Sequence, residues 1–443
     1  MAAETFGGAT VVIDLGLSRG EPDEYASPQG RTVPRWFPAA LIAVIVLLGS
    51  AASAAPPPPP LSPVLSVAIG PADPYTLTGT GELLAQSLGT VAAYDLGDGR
   101  MRWQAGSEAP SYRLRTGGGL VLLRPYAGST RVDRGTTAVS LADGSARWRR
   151  PGSVVTVAGS DTLLAVTAVR SFSGPGRRVQ GAVEAVEPVT GRTRWRVPIP
   201  STAVLLGLPG AAGRPARMLL VHDDRTAAVH DLATGATLTR ARLPAADYGP
   251  DNPVVAGGLL LLRHPATDGD PATDARMVTA FDPGLRQRWS RPAGSAYGAV
   301  PCGELACLAG PDGVRAVRAA DGAEAWFRPG WRGVEQHGGM VVASGTAGET
   351  DLVGIVDPGT GRVLTDLHGW RLVSGTGGDH LLVTRTVRAG ARTMVAVAAP
   401  GDARPRPLSD LPAGTGDCQA GPGRLACRSI SGELKVWAYE RRG

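Results

Sequence analysis

The chain has 443 residues, 45 of them basic and 39 acidic, for a formal net charge of +6; that length suits one large all-β domain or two to three ordinary ones. The charge excess is small and comes with no Lys/Arg run or interleaved aromatic stripe, so the electrostatic footprint of nucleic-acid binding is missing. Glycine (61) and proline (37) are abundant while aromatic residues make up only 5%, a balance that suits many short strands joined by tight turns.

Residues 1–35 are rich in Gly, Pro, Ser and acidic side chains and read as a disordered cytoplasmic tail. The apolar run Thr10–Leu15 within it is either a chance patch or a docking peptide for a cytoplasmic partner. From Phe37 to Ala55 no charge occurs, enough to span a bilayer, with Trp36 and Phe37 placed as an interfacial anchor. Arg31 and Arg35 flank its N-terminal side, and no Lys or Arg follows Pro56 until Arg100. The positive-inside rule then puts the N-terminus in the cytoplasm and everything beyond Ala55 outside. Residues 36–55 are thus expected to be an uncleaved transmembrane signal anchor in the cell membrane. A cleavable signal peptide is the alternative, because Ser50–Ala55 is made of small residues; the five prolines from Pro56 are poor residues to follow a cut. Residues 56–64 read as a Pro-rich linker, in which Pro56–Pro60 makes a polyproline rod of about 15 Å at ~3.1 Å per residue.

Residues 65–443 are a repeat array. Ala93 to Trp103 (AYDLGDGRMRW), Ala138 to Trp148 (AVSLADGSARW), Ala185 to Trp195 (AVEPVTGRTRW) and Ala316 to Trp326 (AVRAADGAEAW) share one frame. Weaker copies start at Val229, Ala280, Ile355 and Val395. The eight turn positions fall at Gly99, Gly144, Gly191, Gly235, Leu285, Gly322, Gly361 and Gly401. A strand-built period of roughly 40–50 residues is the mark of a propeller or related solenoid. Apolar runs such as Gly119–Arg124, Asp161–Thr167, Gly258–Arg263 and Gly339–Ser344 precede the frame and read as strands buried on both faces. The frame itself reads as a strand, a tight turn, and a return strand whose Trp fills the space between neighbouring sheets.

The frame A-x-[DE]-x-x-[TS]-G-x-x-x-W resembles the PQQ-type β-propeller repeat of the quinoprotein alcohol dehydrogenase-like superfamily, over roughly residues 80–440. The resemblance implies an all-β propeller of four-stranded blades. It assigns Trp103, Trp148, Trp195, Trp289 and Trp326 as blade-docking residues, with Thr239, Thr365 and Pro405 in their place elsewhere and looser packing there. Eight blades are expected, with the two ends of the array sharing one. The fold leaves function open, because the superfamily holds enzymes and non-enzymatic scaffolds alike.

The four cysteines form two local pairs, Cys302 with Cys307 and Cys418 with Cys427, each around a Gly-containing turn. Outside the membrane they read as two hairpin disulfides, facing strand residues lying within bonding range; a four-thiolate zinc site is the alternative. The six histidines are scattered and read as surface or packing residues, although His222 and His230 could face each other across one hairpin. Asp95, Glu187, Asp231, Asp282 and Asp357 recur with the repeat and read as turn-capping carboxylates. The Thr116–Leu120 glycine run lacks the Lys and Ser/Thr of a phosphate loop. No adjacent Cys-Cys pair and no calcium-ligand set of the cofactor-binding quinoproteins can be carried over. The expected function is therefore a non-catalytic scaffold at the cell envelope with no cofactor, holding a protein or glycan on one rim, where Arg170–Gln180 and Pro265–Arg276 are candidate binding loops. The alternative is a PQQ-dependent dehydrogenase.

Overall fold

The structure, a computed structural model, describes residues 36–37, 39–44 and 60–439 apart from the stretches 107–110, 126–134, 158–159, 161, 168–180, 200–203, 210–214, 223–224, 247–251, 267–275, 346–350, 376–377 and 388–391. Two compact units divide at Pro58/Pro59. In the first, residues 37 and 39–44 are helical, and the Ala40 N–H donates to the Trp36 carbonyl at 2.9 Å. Among the described residues no helix is long and apolar enough to cross a membrane. The tail 1–35 with its Thr10–Leu15 run, residues 38 and 45–55 of the expected anchor, and residues 56–59 of the linker lie outside the described residues.

The second unit is an all-β propeller. Nine four-stranded antiparallel sheets occur among the described residues, eight of them meanders in sequence order. Blades 1 to 8 cover residues 75–106, 111–150, 153–199, 204–242, 254–294, 298–329, 333–366 and 371–411. Blade 9 combines Thr415–Gly421, Arg424–Ser429 and Glu433–Tyr439 with Leu61–Ala68 as its outermost strand.

The apolar runs sit where the meander needs them. In Leu120–Pro125, the second strand of blade 2, Val121 and Leu123 pack with Leu84, Val91 and Ala93 of blade 1. Leu120 and Leu122 pack with Val154, Leu163 and Ala165 of blade 3. Successive side chains point to opposite faces and both faces meet a neighbouring blade, so an unbroken apolar run replaces alternation. Leu163, Leu164, Leu261, Leu262 and Leu381 are fully buried in this way, each contributing roughly 1.5–3 kcal/mol over an exposed side chain.

The count is nine blades where eight were expected, and the reason lies in what the repeat marks. The turn frame is the hairpin between third and outermost strands, and blades 1 to 8 each have one. Blade 9 has none, because its outermost strand comes from the other end of the chain. Leu61 pairs with Tyr439 and Ala68 with Glu433, with a bulge between Pro63 and Leu65 where proline has no N–H to give the ladder. At the closing seam Arg428, with only 11% of its side chain exposed, donates to the Gly70 and Asp73 carbonyls at 2.6 Å each. Its guanidinium lies 5.3 Å from the centre of the Tyr75 ring and 3.1 Å from the Asp417 carboxylate.

Candidate binding surfaces

A sequential meander gives the disc two unlike faces. Turns between first and second strands and between third and outermost strands share one face, the turn face. Connections between second and third strands, and the passes from blade to blade, share the other, the loop face. The turn-face frames are short and alike. The loop face takes the connections 126–135, 168–180 and 266–275. Both candidate binding loops, Arg170–Gln180 and Pro265–Arg276, therefore join strands that end on the loop face; most of their residues lie outside those described. Leu88 (99% exposed) and Ile430 (89% exposed) stand on loop-face turns of blades 1 and 9, which are neighbours. Leu88 does so at φ +49°, a conformation that a non-glycine residue rarely holds.

What holds the disc rigid is one contact repeated between blades. In the outermost strands, Trp103, Trp148, Trp195, Trp289 and Trp326 donate Nε1–H to Leu141, Pro188, Leu232, Ala319 and Pro358 of the next blade's turn, at 2.7–3.2 Å. Each indole lies on that blade's turn glycine: a Cβ added at Gly361 would come within 2.8 Å of Trp326 Cδ2. The turn glycine is required twice, for its φ of +66° and for the ring that covers it. In blades 1 to 8 a register shift follows the position opposite the docking residue, as between Ala93 and Tyr94. Such a bulge bends the strand and re-aims the side chain beside it; the sequence carried no signal for it.

Four of the nine seams lack a docking tryptophan: the closing seam, where Val64 and Leu65 lie on Gly99, and three between blades consecutive in the chain. Thr239 Oγ1 reaches the Gly284 carbonyl at only 3.4 Å, whereas buried Thr365 donates to the Ala399 carbonyl at 2.7 Å. Pro405 does not occupy the third such position: it precedes the strand Arg406–Leu411, and the register sets Ser409 opposite Val395 and Pro407 opposite Ala396. Large clefts open at two of these seams. Between blades 7 and 8 a cavity of about 370 Å³ is lined by Glu335, His337, Ser344, Arg371 and Ser374 over Leu352 and Val373. His337 Nε2 lies 3.2 Å from Glu335 Oε2. Between blades 8 and 9 a groove of about 420 Å³ runs past Leu65, Ser66, Asp410, Lys435 and Trp437. The groove runs along the outermost strands of both blades, where an indole would otherwise dock, whereas the cavity is lined by the first three strands of blade 7 and the innermost strand of blade 8.

The recurring carboxylates are occupied by turns. Asp95 accepts from Gly97 N–H at 2.7 Å, Asp231 from Thr234 N–H and Oγ1–H, Asp282 from Gly284 and Arg286 N–H, and Asp357 from Gly359 N–H and Thr360 Oγ1–H. The Asp231, Asp282 and Asp357 carboxyls are held below the usual range by these bonds. Glu187 differs, facing Arg194 at 3.6 Å. Where the frame has Ser140 or Arg318 at that position, Asp143 and Asp321 take over inside the turn.

The cysteines form two disulfides, Cys302–Cys307 between the inner strands of blade 6 and Cys418–Cys427 between those of blade 9, with Cα–Cα distances of 5.6 and 4.1 Å. The histidines lie apart. His222 and His230 do not face each other: His230 stands opposite Met218, while the His222 N–H closes the hairpin end on Thr226. Burial pushes the His230 and His380 imidazoles to lower pKa, and His380 bonds Asp379 and Tyr439. Among the described residues no group of three or more His, Cys, Asp or Glu is placed to hold a metal ion. The Thr116–Leu120 glycines make the turn between the inner strands of blade 2, Gly118 and Gly119 both taking positive φ.

Comparison with known proteins agrees on the fold. A family described as outer membrane protein assembly factor BamB matches residues 179–330. No curated protein matches the chain in sequence. BamB from Moraxella catarrhalis is 16% identical, with 86% of this chain covering all of that one at a TM-score of 0.40. Quinohemoprotein alcohol dehydrogenase from Comamonas testosteroni is 13% identical, covering 82% of this chain and 66% of its own, at 0.37. A eukaryotic initiation factor structure is 9% identical, covering 89% and 95%, at 0.51. At these identities the likeness is one of fold.

Proposed function

We propose that this chain, a PQQ-like β-propeller, is a non-catalytic binding scaffold at the cell envelope that holds a protein or glycan on its loop face. One observation carries the reading. The features that repeat are committed to architecture (indoles in seams, carboxylates in turns), while the loop face carries connections that differ from blade to blade. Binding residues concentrate on such loops when a rigid framework positions them. The match to a family described as an outer-membrane assembly factor supports a scaffold role. The charge-free 37–55 segment, with arginines on its N-terminal side only, supports an anchor that leaves the N-terminus in the cytoplasm and the propeller outside.

A quinone cofactor does not fit the residues described. The cysteines are all consumed in two non-adjacent hairpin disulfides, and among the described residues no carboxylate cluster is placed for a divalent cation. The test is site-specific photo-crosslinking in living cells, with the reactive residue at Leu88 or Ile430 on the loop face and at Val189 on the turn face. A discrete envelope adduct from the first two and not from Val189 is expected. Equal labelling of both faces, or saturable PQQ binding with dye-linked alcohol oxidation by the purified protein, would overturn the reading. Protease added to intact cells should remove the propeller and spare the tail; a soluble product beginning at Pro56 or later would show a cleaved signal peptide instead.

A further inference from the structure

The seam between blades 8 and 9 lacks both halves of the docking contact that closes five others. The register that sets Trp103 opposite Ala93, and Trp326 opposite Ala316, sets Ser409 opposite Val395. The docking position of blade 8 therefore carries a hydroxymethyl group in place of an indole. Blade 9 has no hairpin between its third and outermost strands to receive one, because Leu61–Ala68 arrives from the other end of the chain. The groove of about 420 Å³ opens over Ser409, and blade 9 faces it with Pro63, Leu65, Val436 and Trp437. Leu61 and Leu411 also line it and belong to the buried core that the two blades share, so its apolar wall is continuous with that core. The two charged side chains on the groove both have partners: Arg392 lies 3.3 Å from Asp410, and Glu433 lies 3.1 Å from Lys435. What a ligand would meet is an apolar surface with one half-buried ring, that of Trp437.

Five seams of the same disc show what this position takes: an indole from one outermost strand, laid against the next blade. An indole carries more apolar area than an aliphatic side chain, and it gains further from an offset or edge contact with a second ring, here Trp437. The groove has the volume of roughly fourteen waters at about 30 Å³ each, enough for an indole and the residues on either side of it. Arg406–Leu411 and Leu61–Ala68 are the outer edges of their sheets, so a segment carrying the ring reaches the groove from solvent without passing a blade. We propose that the groove between blades 8 and 9 is a docking site for a tryptophan side chain on an extended segment of a partner protein. The partner supplies from outside the contact that the chain makes for itself at five other seams. The site lies on the outer wall of the disc and does not depend on binding by the loop face.

The full-length protein in non-ionic detergent is titrated with the peptide acetyl-Gly-Ser-Trp-Ser-Gly-amide, and with the same peptide carrying leucine or proline in the central place. Saturation-transfer NMR follows the binding. Saturable binding of the tryptophan peptide in the roughly millimolar range is expected, about fivefold or more tighter than that of the other two. Ser409→Ala should keep it. Ser409→Trp fills the groove from within and should abolish it, and Ser409→Glu should weaken it about tenfold by setting a charge against the apolar wall. Leu88→Ser, on a loop-face turn of blade 1, should change nothing. If Ser409→Trp does not fold, the comparison of Ser409→Glu with Ser409→Ala decides. No saturable binding, equal binding of the three peptides, or binding indifferent to Ser409→Trp and Ser409→Glu refutes the site. Preference for the proline peptide overturns the indole assignment. Binding seen only after residues 440–443 are removed would give the groove to the chain's own end and overturn the partner. The outcome is separate from that of the crosslinking experiment, because the peptides report on the outer wall and the crosslinks on the loop face.

Discussion

Replacing Gly361 by alanine tests whether indole docking, and not turn geometry alone, is what the repeat preserves. At φ +66° alanine costs roughly 1–2 kcal/mol from the left-handed backbone. The added methyl would also lie 2.8–3.1 Å from three atoms of the Trp326 ring, an overlap that must push the indole off its seat. Overpacking of this kind costs about 1–3 kcal/mol, for a total of about 2–5 kcal/mol. Gly401 is the internal control: its φ is +97°, but nothing lies within 4 Å of the added atom, so Gly401→Ala should show the backbone cost only. Trp326→Ala alone should cost about 3–5 kcal/mol for a nearly buried ring, including about 1 kcal/mol for the bond to the Pro358 carbonyl. In that background there is no ring left to displace, and Gly361→Ala should fall back to about 1–2 kcal/mol. The assay is urea unfolding followed by far-UV circular dichroism on the four variants of the cycle. Equal costs for Gly361→Ala with and without Trp326, or a cost no greater than that of Gly401→Ala, would refute the docking account.

Arg428→Ala should destabilise the closing seam by about 3 kcal/mol, since two donated bonds from a charged group to Gly70 and Asp73 disappear. Arg428→Lys should recover less than half of it, a point charge being unable to serve both carbonyls, as urea midpoints would show. Bonds from Ser145 hold the Asp143 carboxyl down at about 2 against an ordinary 3.8. A depressed carboxylate contributes stability above its unfolded value that is lost as pH falls through its folded one. The melting temperature should therefore drop between about pH 4 and pH 2, and Asp143→Asn should flatten that slope. Mass spectrometry of a non-reduced digest should recover Cys302–Cys307 and Cys418–Cys427; links between the two pairs would contradict the fold. Loops this short stabilise by about 2 and 3 kcal/mol, so reduction should shift the urea midpoint accordingly.

Much of the fold was legible because a blade is a local object. The hairpin turns, the doubly buried second strands and the docking tryptophans all lie within about fifty residues of one another. The disulfides were legible for the same reason, their partners being five and nine residues apart. The ninth blade was not, because Leu61–Ala68 has no partner nearby in sequence, and pairing across the whole chain leaves no periodic mark. Pro405 was misassigned to the docking position because the longer blade 8 hairpin moves the register to Ser409, which spacing alone cannot show. The clefts were invisible for a related cause. Glu335 and Arg371 come together only when one blade stacks on the next. The clefts thus lie in the seams, where the repeat gives no guidance.

The strand Leu61–Ala68 also sets a clock. It leaves the ribosome before any blade is made, and its partner Glu433–Tyr439 emerges 365 residues later. At about 5–20 residues per second the wait is on the order of 20–70 s. Through that interval the first blades can form in turn, but each growing array ends in an open sheet face and the early strand offers bare N–H and C=O groups to anything extended. A stop codon anywhere before residue 433 would leave both ends unpaired for good, and the product would join strands with its neighbours. The strand Glu433–Tyr439 decides whether all the residues made before it become a ring or an aggregate.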